Sequence, residues 1–503
     1  MGNLKIGWAR EEISIDEPVQ INGQLYMRVS EGIHDPLYVT ALCVDGGEGN
    51  DVAIFVSCDV TSLNRGVIPG AEAIVEKLRP EIPKHALVMN ATHTHTSPAL
   101  FETSPETPDG KPIYPGVKYR QFLTEKCAEA AIAAWDNRKP GGMGYGYGYA
   151  VVSHSRRTVY FKDMGEFDPL AGSPNGHCIM YGKTGQPEFS HYEAGADHFL
   201  NVMFTVDAQS KLTGMIVNVP CPSQVGEQLT VLSADYWCEV RQLIAQEFGE
   251  DVYVLPQCAA AGDLSPRILH YKQAQARRLN LKYGLAYELK NVKRNNDQYY
   301  NKIIGERRDI AERIVSGVRD IHSWAMKELV FDAPVRHSFE TIALTKPVIT
   351  EADKTEALAK LKEIEQIEQD VRKKGGEDLN YWASRCNSAR SRNTQLLERF
   401  EQQKTEPKMD TNIHVVQIGD IAFATNRFEL YMDYMHRIQA RSPFVQTFVV
   451  QLAGDEGGSY LATERGMANK GYGANMFARV GPIGGQKLVE ATLRLLNEMK
   501  NKE

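Results

Sequence analysis

The 503-residue sequence predicts one large mixed α/β domain. Two separate stretches alternate Val-, Ile- and Phe-rich apolar runs with helical periodicity. Each ends in a polar loop just past a strand, where α/β proteins place their chemistry. No repeat of fixed period and no clear linker divides the chain. Residues 1–503 are therefore read as a single domain with a peripheral helical insertion at about 351–404.

The first stretch opens with DVAIFVSCDVT (51–61), an apolar run of the kind that forms a strand buried on both faces. A helix follows from Pro69, with Ala71, Ile74, Val75 and Leu78 at helical spacing. A second short apolar run spans 86–89 and leads into polar residues. Another amphipathic helix is expected over 121–137. In GGMGYGYGYA (141–150) tyrosines alternate with glycines, so one strand face is bare and something packs closely against it. The tyrosines are read as core or rim filling. Residues 151–200 read as loops.

The second stretch starts at Phe199 with two strands, followed by a helix from Ser233 and a strand from Val252 that ends in AAAGDLSPR. Charged helices are expected between about 270 and 330. In 351–404, Leu358, Leu361, Ile364, Ile367 and Val371 recur every three or four residues among Glu and Lys. A second run, 391–404, would pair with it as a solvated hairpin over one face. A dimerisation arm, and with it a homo-oligomer, is the alternative. Strands from His414 and Phe444 and a terminal helix from Ile483 complete the pattern.

Composition narrows the partners. With 42% hydrophobic and 24% charged residues the chain is an ordinary globular protein, and its formal charge of -7 argues against nucleic acid or an anionic membrane. Eight Cys without a CxxC pair suggest neither a disulfide scaffold nor a zinc knuckle. The N-terminal residues lack a signal-peptide apolar region, so a reducing, cytoplasmic setting is expected, without stable membrane association.

The strongest chemical signal is NATHTHTSP (90–98). In an extended segment residues two apart share a face, so His93 and His95 can aim two imidazoles at one point. Hydrogen-bonded loop histidines are the plainer alternative. Cys221, between two prolines in VPCPSQV, is a thiolate ligand or a buried small side chain. GDLSPR (262–267) presents Asp263, Ser265 and Arg267 on a turn, able to supply a hydroxyl nucleophile or to cap its own backbone. Glu429, in NRFELYMDY, and the loop DEGGSYLATERG (455–466) put acidic groups just beyond apolar strands.

Taken in order, these segments resemble the neutral/alkaline ceramidase family of zinc amidases over most of the chain. GWAREEIS (7–14) and GIHDPLYVTALCV (32–44) are similar to the family's entrance strand and its Gly-Ile-His-Asp region. ATHTHTSP resembles the motif whose histidines bind zinc, a role the resemblance gives to His93 and His95. Cys221 stands where the family has its next zinc histidine, in a register supported by SADYWCEV (233–240). The resemblance places the proposed catalytic serine on Ser265 and the remaining metal ligands on Glu429 and Tyr460. It places a substrate-positioning arginine on Arg156, with Arg157 an adjacent rival.

The departures are Cys221 for histidine, Arg427-Phe428 before Glu429 where the family has Pro-Gly, and the absence of a secretion signal and a trailing β-sandwich. The resemblance thus implies a Zn2+-dependent hydrolase that cleaves an amide through metal-activated water. Tyr460 and Arg156 would stabilise the oxyanion, and Ser265 and Asp263 would line the site. A metal-dependent lyase or isomerase on a carbohydrate-like substrate and a catalytically weakened binding protein are the alternatives. The expected substrate is a small polar or sugar-like molecule and not a long-chain lipid. Its pocket rim is read in 455–460 and in SHYEAGADH (190–198), and the net charge is acidic.

Overall fold

The computed structural model describes residues 2–63, 66–165, 168–170, 176–285, 297–454, 457, 459–474 and 476–501. Eight strands form the larger sheet: β1 (Lys5–Glu12), β2 (Tyr38–Asp45), β3 (Val52–Cys58), β4 (Leu87–Ala91), β5 (Lys139–Tyr149), β6 (Phe199–Asp207), β7 (Leu212–Val219) and β8 (Tyr253–Cys258). Their spatial order is β8-β7-β6-β5-β1-β2-β3-β4. Only β3–β4 and β7–β8 pair in parallel. Those are the two strand–helix–strand units read from the apolar runs. The crossovers carry α1 (Val67–Leu78) and, after α2 (Gly116–Asp136), α3 (Tyr236–Phe248). Every residue of β3 is buried, as a strand covered on both faces requires.

Next come α4 (Lys272–Tyr283) and α5 (Asp297–Ala325). A second sheet has the order β9 (Val335–Thr345), β10 (Lys408–Ile418), β11 (Ile421–Thr425), β12 (Gln446–Val450). Between β9 and β10 stand α6 (Glu351–Lys374) and α7 (Leu379–Gln402), and α8 (Met432–Arg441), α9 (Glu464–Asn469) and α10 (Pro482–Lys500) complete the helices. The layers run helix, sheet, sheet, helix. α1, α2, α3 and α5 cover the outer face of the large sheet, and α8 and α10 cover the second. Trp8, Leu42, Phe55, Phe423 and Phe448 fill the space between sheets, with Phe423 4.7 Å from Phe55 and 4.5 Å from Phe448 between ring centroids. Each such ring contributes roughly 1.5–3 kcal/mol by leaving water.

The bare face of β5 is the seat of α5. A Cβ on Gly146 would lie 2.3 Å from Trp324 Cη2, and one on Gly148 would lie 2.9 Å from Ile321 Cγ1. On the opposite face Tyr145 packs into the inter-sheet core, while Tyr147 and Tyr149 stay exposed.

Three boundaries differ from expectation. α2 begins at Gly116, directly after Pro115, whose extended backbone makes it the N-cap. α7 begins at Leu379, not 391, because its buried face in this first part is Ala383, Cys386 and Ala389, side chains too small to read as an apolar stripe. Within 151–200, Arg157–Tyr160 forms a small sheet between Cys178–Met180 and Phe189–Tyr192. No described helix is long and apolar enough to cross a membrane.

Candidate active site

The site gathers where β4, β7 and β8 end and the second sheet's loops arrive. β4 stops at Ala91, and His93 takes φ +65°, a left-handed conformation rare outside glycine. The two histidines therefore converge through a turn, not along one face of an extended strand as the spacing suggested. Their Nε2 atoms lie 3.3 Å apart. The main chain fixes this turn: His93 N donates to Val60 O, and His95 N donates to Ser223 O. Thr94 and Thr96 do not touch the imidazoles' functional nitrogens; both hydroxyls donate to Ser233 O at 2.8 Å. Ser233 is held in turn by Asp35, whose carboxylate also takes Ala234 N and the Arg307 guanidinium.

His93 Nδ1 sits 2.7 Å from Thr61 O. A ring nitrogen that close to a carbonyl donates to it, which leaves Nε2 turned into the site. His93 Nε2 faces His95 Nε2 and, at 3.5 Å, Glu429 Oε2. Glu429 arrives on a two-residue strand, Glu429–Leu430, paired in parallel with Tyr460–Leu461, and the register sets Glu429 opposite Tyr460. The Tyr460 hydroxyl hydrogen-bonds the carboxylate. Arg156 Nη2 donates to Tyr460 Oη at 3.2 Å and to Gly262 O at 2.8 Å, and lies 3.6 Å from Glu429 Oε2. Its Nη1 donates to Tyr181 Oη at 3.0 Å.

His93, Arg156, Glu429 and Tyr460 are buried, and the His95 side chain is only 12% exposed. Burial, reinforced by His93 and the cations Arg28, Arg156 and Arg267, holds His95 well below its ordinary range, so it is neutral. Burial pushes Glu429 up, but His93 and Arg156 outweigh it and the carboxyl stays below its usual range. Burial and then the Glu429 charge push the Tyr460 phenol well up, keeping it a proton donor.

Of the residues singled out from sequence, His93, His95, Glu429, Tyr460 and Arg156 come together. Arg157 does not. It is fully buried in an ion pair with Glu193 and donates to the carbonyls of Gly466, Lys470 and Tyr472. Cys221, the other expected ligand, sits in the turn after β7. Its thiol donates to Val152 O at 3.3 Å, and burial pushes its pKa well up. Ser265 is fully buried, and its hydroxyl accepts Arg267 N. The Asp263 carboxylate accepts Met432 N at the start of α8, while its carbonyl takes Arg156 N. Both residues serve the backbone that positions Arg156 and α8. Asp455 and Glu456 of the proposed rim lie outside the described residues.

Sequence reasoning missed Tyr181, Gln224, Glu227 and Arg28. Gln224 Nε2 donates to Tyr181 Oη at 2.6 Å. Glu227 lies 3.6 Å from His95 Nδ1, which has no hydrogen-bond partner, and pairs with Arg267 at 2.5 Å. Arg28 donates to the carbonyls of His95, Asn22 and Leu229. Glycine is needed beside it: Gly23 has φ +102°, and a Cβ there would lie 2.6 Å from His95 Cγ.

Among the described residues no group of three or more His, Cys, Asp or Glu side chains is placed to hold a metal ion. What converges is two imidazoles and a carboxylate beside one of them. Two ligands about 2.0–2.1 Å from a tetrahedral zinc are about 3.3 Å apart. The 3.3 Å and 3.5 Å separations at His93 Nε2 match that edge. Imidazole and carboxylate are donors of the kind a divalent cation such as zinc takes.

Comparison with solved structures identifies the architecture. The crystal structure of neutral ceramidase from Pseudomonas aeruginosa superposes with a TM-score of 0.65 at 16% sequence identity, covering 99% of this chain and 75% of that one. A ceramidase complexed with C2 gives 0.66 at 15% identity, covering 100% and 76%. The fold is that of the neutral ceramidases. No protein-family model matches the sequence, and no curated protein matches it.

Proposed function

We propose that this chain is a zinc-dependent hydrolase that cleaves the amide bond of a small, polar, sugar-like substrate. The observation that carries the reading is His93 Nε2, which lies 3.3 Å from His95 Nε2 and 3.5 Å from the Glu429 carboxylate inside a buried cluster. His93, His95 and Glu429 would hold the ion, with Tyr460 adjacent. Zinc supplies Lewis acidity there, polarising a carbonyl and making water a competent nucleophile near neutral pH.

The protein's own groups supply the rest. Arg156 is locked by Gly262 O and Tyr181 Oη and donates to Tyr460 Oη, so the Tyr460 hydroxyl beside this cation is a preorganised donor for charge that develops on a carbonyl oxygen. Tyr460 keeps its proton because it is buried beside a carboxylate, which suits it to donate. Gln224, through Tyr181, fixes the side of the cluster remote from Glu429. A reducing, cytoplasmic setting is supported by eight free cysteines, including Cys58 and Cys127 with sulfurs 3.6 Å apart and unbonded.

The test combines metal content with turnover. Purified protein is expected to hold about one zinc per chain with only nitrogen and oxygen neighbours by X-ray absorption, retained in Cys221→Ala and lost in His93→Ala. Release of a primary amine from N-acylated sugars should follow the metal and fall at least a hundredfold in Tyr460→Phe. Equal activity of the metal-free protein, or amine release only from long-chain N-acyl sphingosine, refutes the proposal.

A further inference from the structure

The helical hairpin α6–α7 touches the loop that borders the site. Met27 N donates to Ser384 Oγ at 2.9 Å, and the Tyr26 ring packs on Tyr381 with centroids 4.7 Å apart. The same loop begins at Gly23, which lies against the His95 ring. Three residues span at most about 11 Å, so this loop links the start of α7 to the neighbourhood of the His95 ring.

Between hairpin and loop lies a cleft of about 890 Å³, within the range of small-molecule sites. Its character is aromatic and hydrogen-bonding. Tyr381 and Trp382 meet edge to face at 5.0 Å, and Arg385 lies 5.7 Å from each ring centroid. Trp382 is 40% exposed although it is one of the largest apolar side chains, which a helix facing only water would not select for this position. Asn380, also on the wall, keeps a buried Oδ1 with no donor. Among the described lining residues the aliphatic ones are Pro18, Met27, Val29 and Pro112, too few to make a trench for an acyl chain.

We infer that this cleft is a sugar-binding subsite, in which the hairpin supplies Tyr381 and Trp382 as a stacking platform for a hydroxylated ring joined to the amide that the adjacent site receives. The inference rests on the proposed hydrolase reading for that amide and goes beyond it by locating the ring. Ring C–H groups stack on the aromatic faces, while hydroxyls, donors and acceptors at once, match Asn380, Gln228 and Thr230 around the wall.

Calorimetry on the full chain tests this with N,N′-diacetylchitobiose as probe, N-acetylglycinamide as an amide without a ring, and N-octanoyl sphingosine in mixed micelles as the lipid arm. The disaccharide is expected to bind at least tenfold more tightly than the acyclic amide. Trp382→Ala is expected to weaken it about tenfold, with Trp382→Phe restoring most of the loss. Near-UV circular dichroism confirms that both variants are folded, as the partial exposure of Trp382 favours. His93→Ala is expected to keep sugar binding while losing turnover. Disaccharide binding unchanged in Trp382→Ala, no disaccharide binding at millimolar concentration, or tighter binding of the lipid overturns the inference. Sugar binding that depends on Trp382 in a protein that cleaves no amide upholds the subsite and refutes only the hydrolase reading.

Discussion

Arg156 and Glu429 form the electrostatic spine of the site, and their coupling can be measured without a substrate. Two unit charges 3.6 Å apart attract by about 5 kcal/mol at an effective dielectric constant of about 20. Arg156→Met removes the cation at nearly constant volume and leaves Glu429 buried beside a neutral tyrosine. Breaking a buried pair from one side typically costs about 3–5 kcal/mol. Glu429→Gln removes the opposite charge and keeps an acceptor for Tyr460. In the double variant the stranded charge is gone, so the loss should fall short of the summed single losses by about 2–3 kcal/mol. Urea unfolding followed by tryptophan fluorescence, on protein stripped of metal, measures all four corners of the cycle. Losses that add within about 0.5 kcal/mol would refute the claim that Arg156 is held here to balance Glu429.

Two further expectations concern the scaffold. Gly146→Val should cost about 1–3 kcal/mol by driving a side chain into Trp324, and should cost less in a Trp324→Ala background; an equal cost in both backgrounds would show that α5 is not the element in contact. Burial raises Asp263 from 3.8 to about 6, so its contribution favours the folded state below pH 4 and is lost as pH rises through about 6, worth about 3 kcal/mol. Asp263→Asn keeps an acceptor for Met432 N, so urea midpoints should show it gaining on the parent at pH 8 relative to pH 4.5, and a loss equal at both pH values would contradict this.

Much of the fold was legible because burial leaves a periodic trace. The run 51–61 and the Gly-Tyr alternation of 141–150 each dictate what covers them, and the parallel pairs β3–β4 and β7–β8 lie where the apolar runs put them. The start of α7 was not legible because Ala383, Cys386 and Ala389 are buried without being bulky. At the site, His93, His95 and Glu429 stood out as polar residues directly after strands. Glu227, Gln224 and Tyr181 did not. Each acts through a partner far away in sequence, and nothing in their own neighbourhoods distinguishes them from ordinary loop residues. The choice between Arg156 and Arg157 is likewise tertiary: neighbours on an extended segment point to opposite sides, one to Glu429 and the other to Glu193.

The segment Val219–Gln224 ties Cys221 to the residues that aim the histidines. Val219 ends β7, and the chain must then turn sharply to pass behind the histidine loop. Pro220 and Pro222 stiffen that turn, and Cys221 fills the inner side, where its carbonyl accepts the Tyr236 hydroxyl at 2.6 Å and its thiol meets Val152 O. With the turn fixed, the next two residues reach the site: Ser223 Oγ donates to Thr92 O while its carbonyl receives His95 N, and Gln224 reaches Tyr181. Cys221 is thus an anchor for the residues that aim His95 and, through Tyr181, Arg156. Its replacement by Ala should leave the imidazole pair in place, whereas Ser223→Val, which removes the bond to Thr92 O, should disturb it.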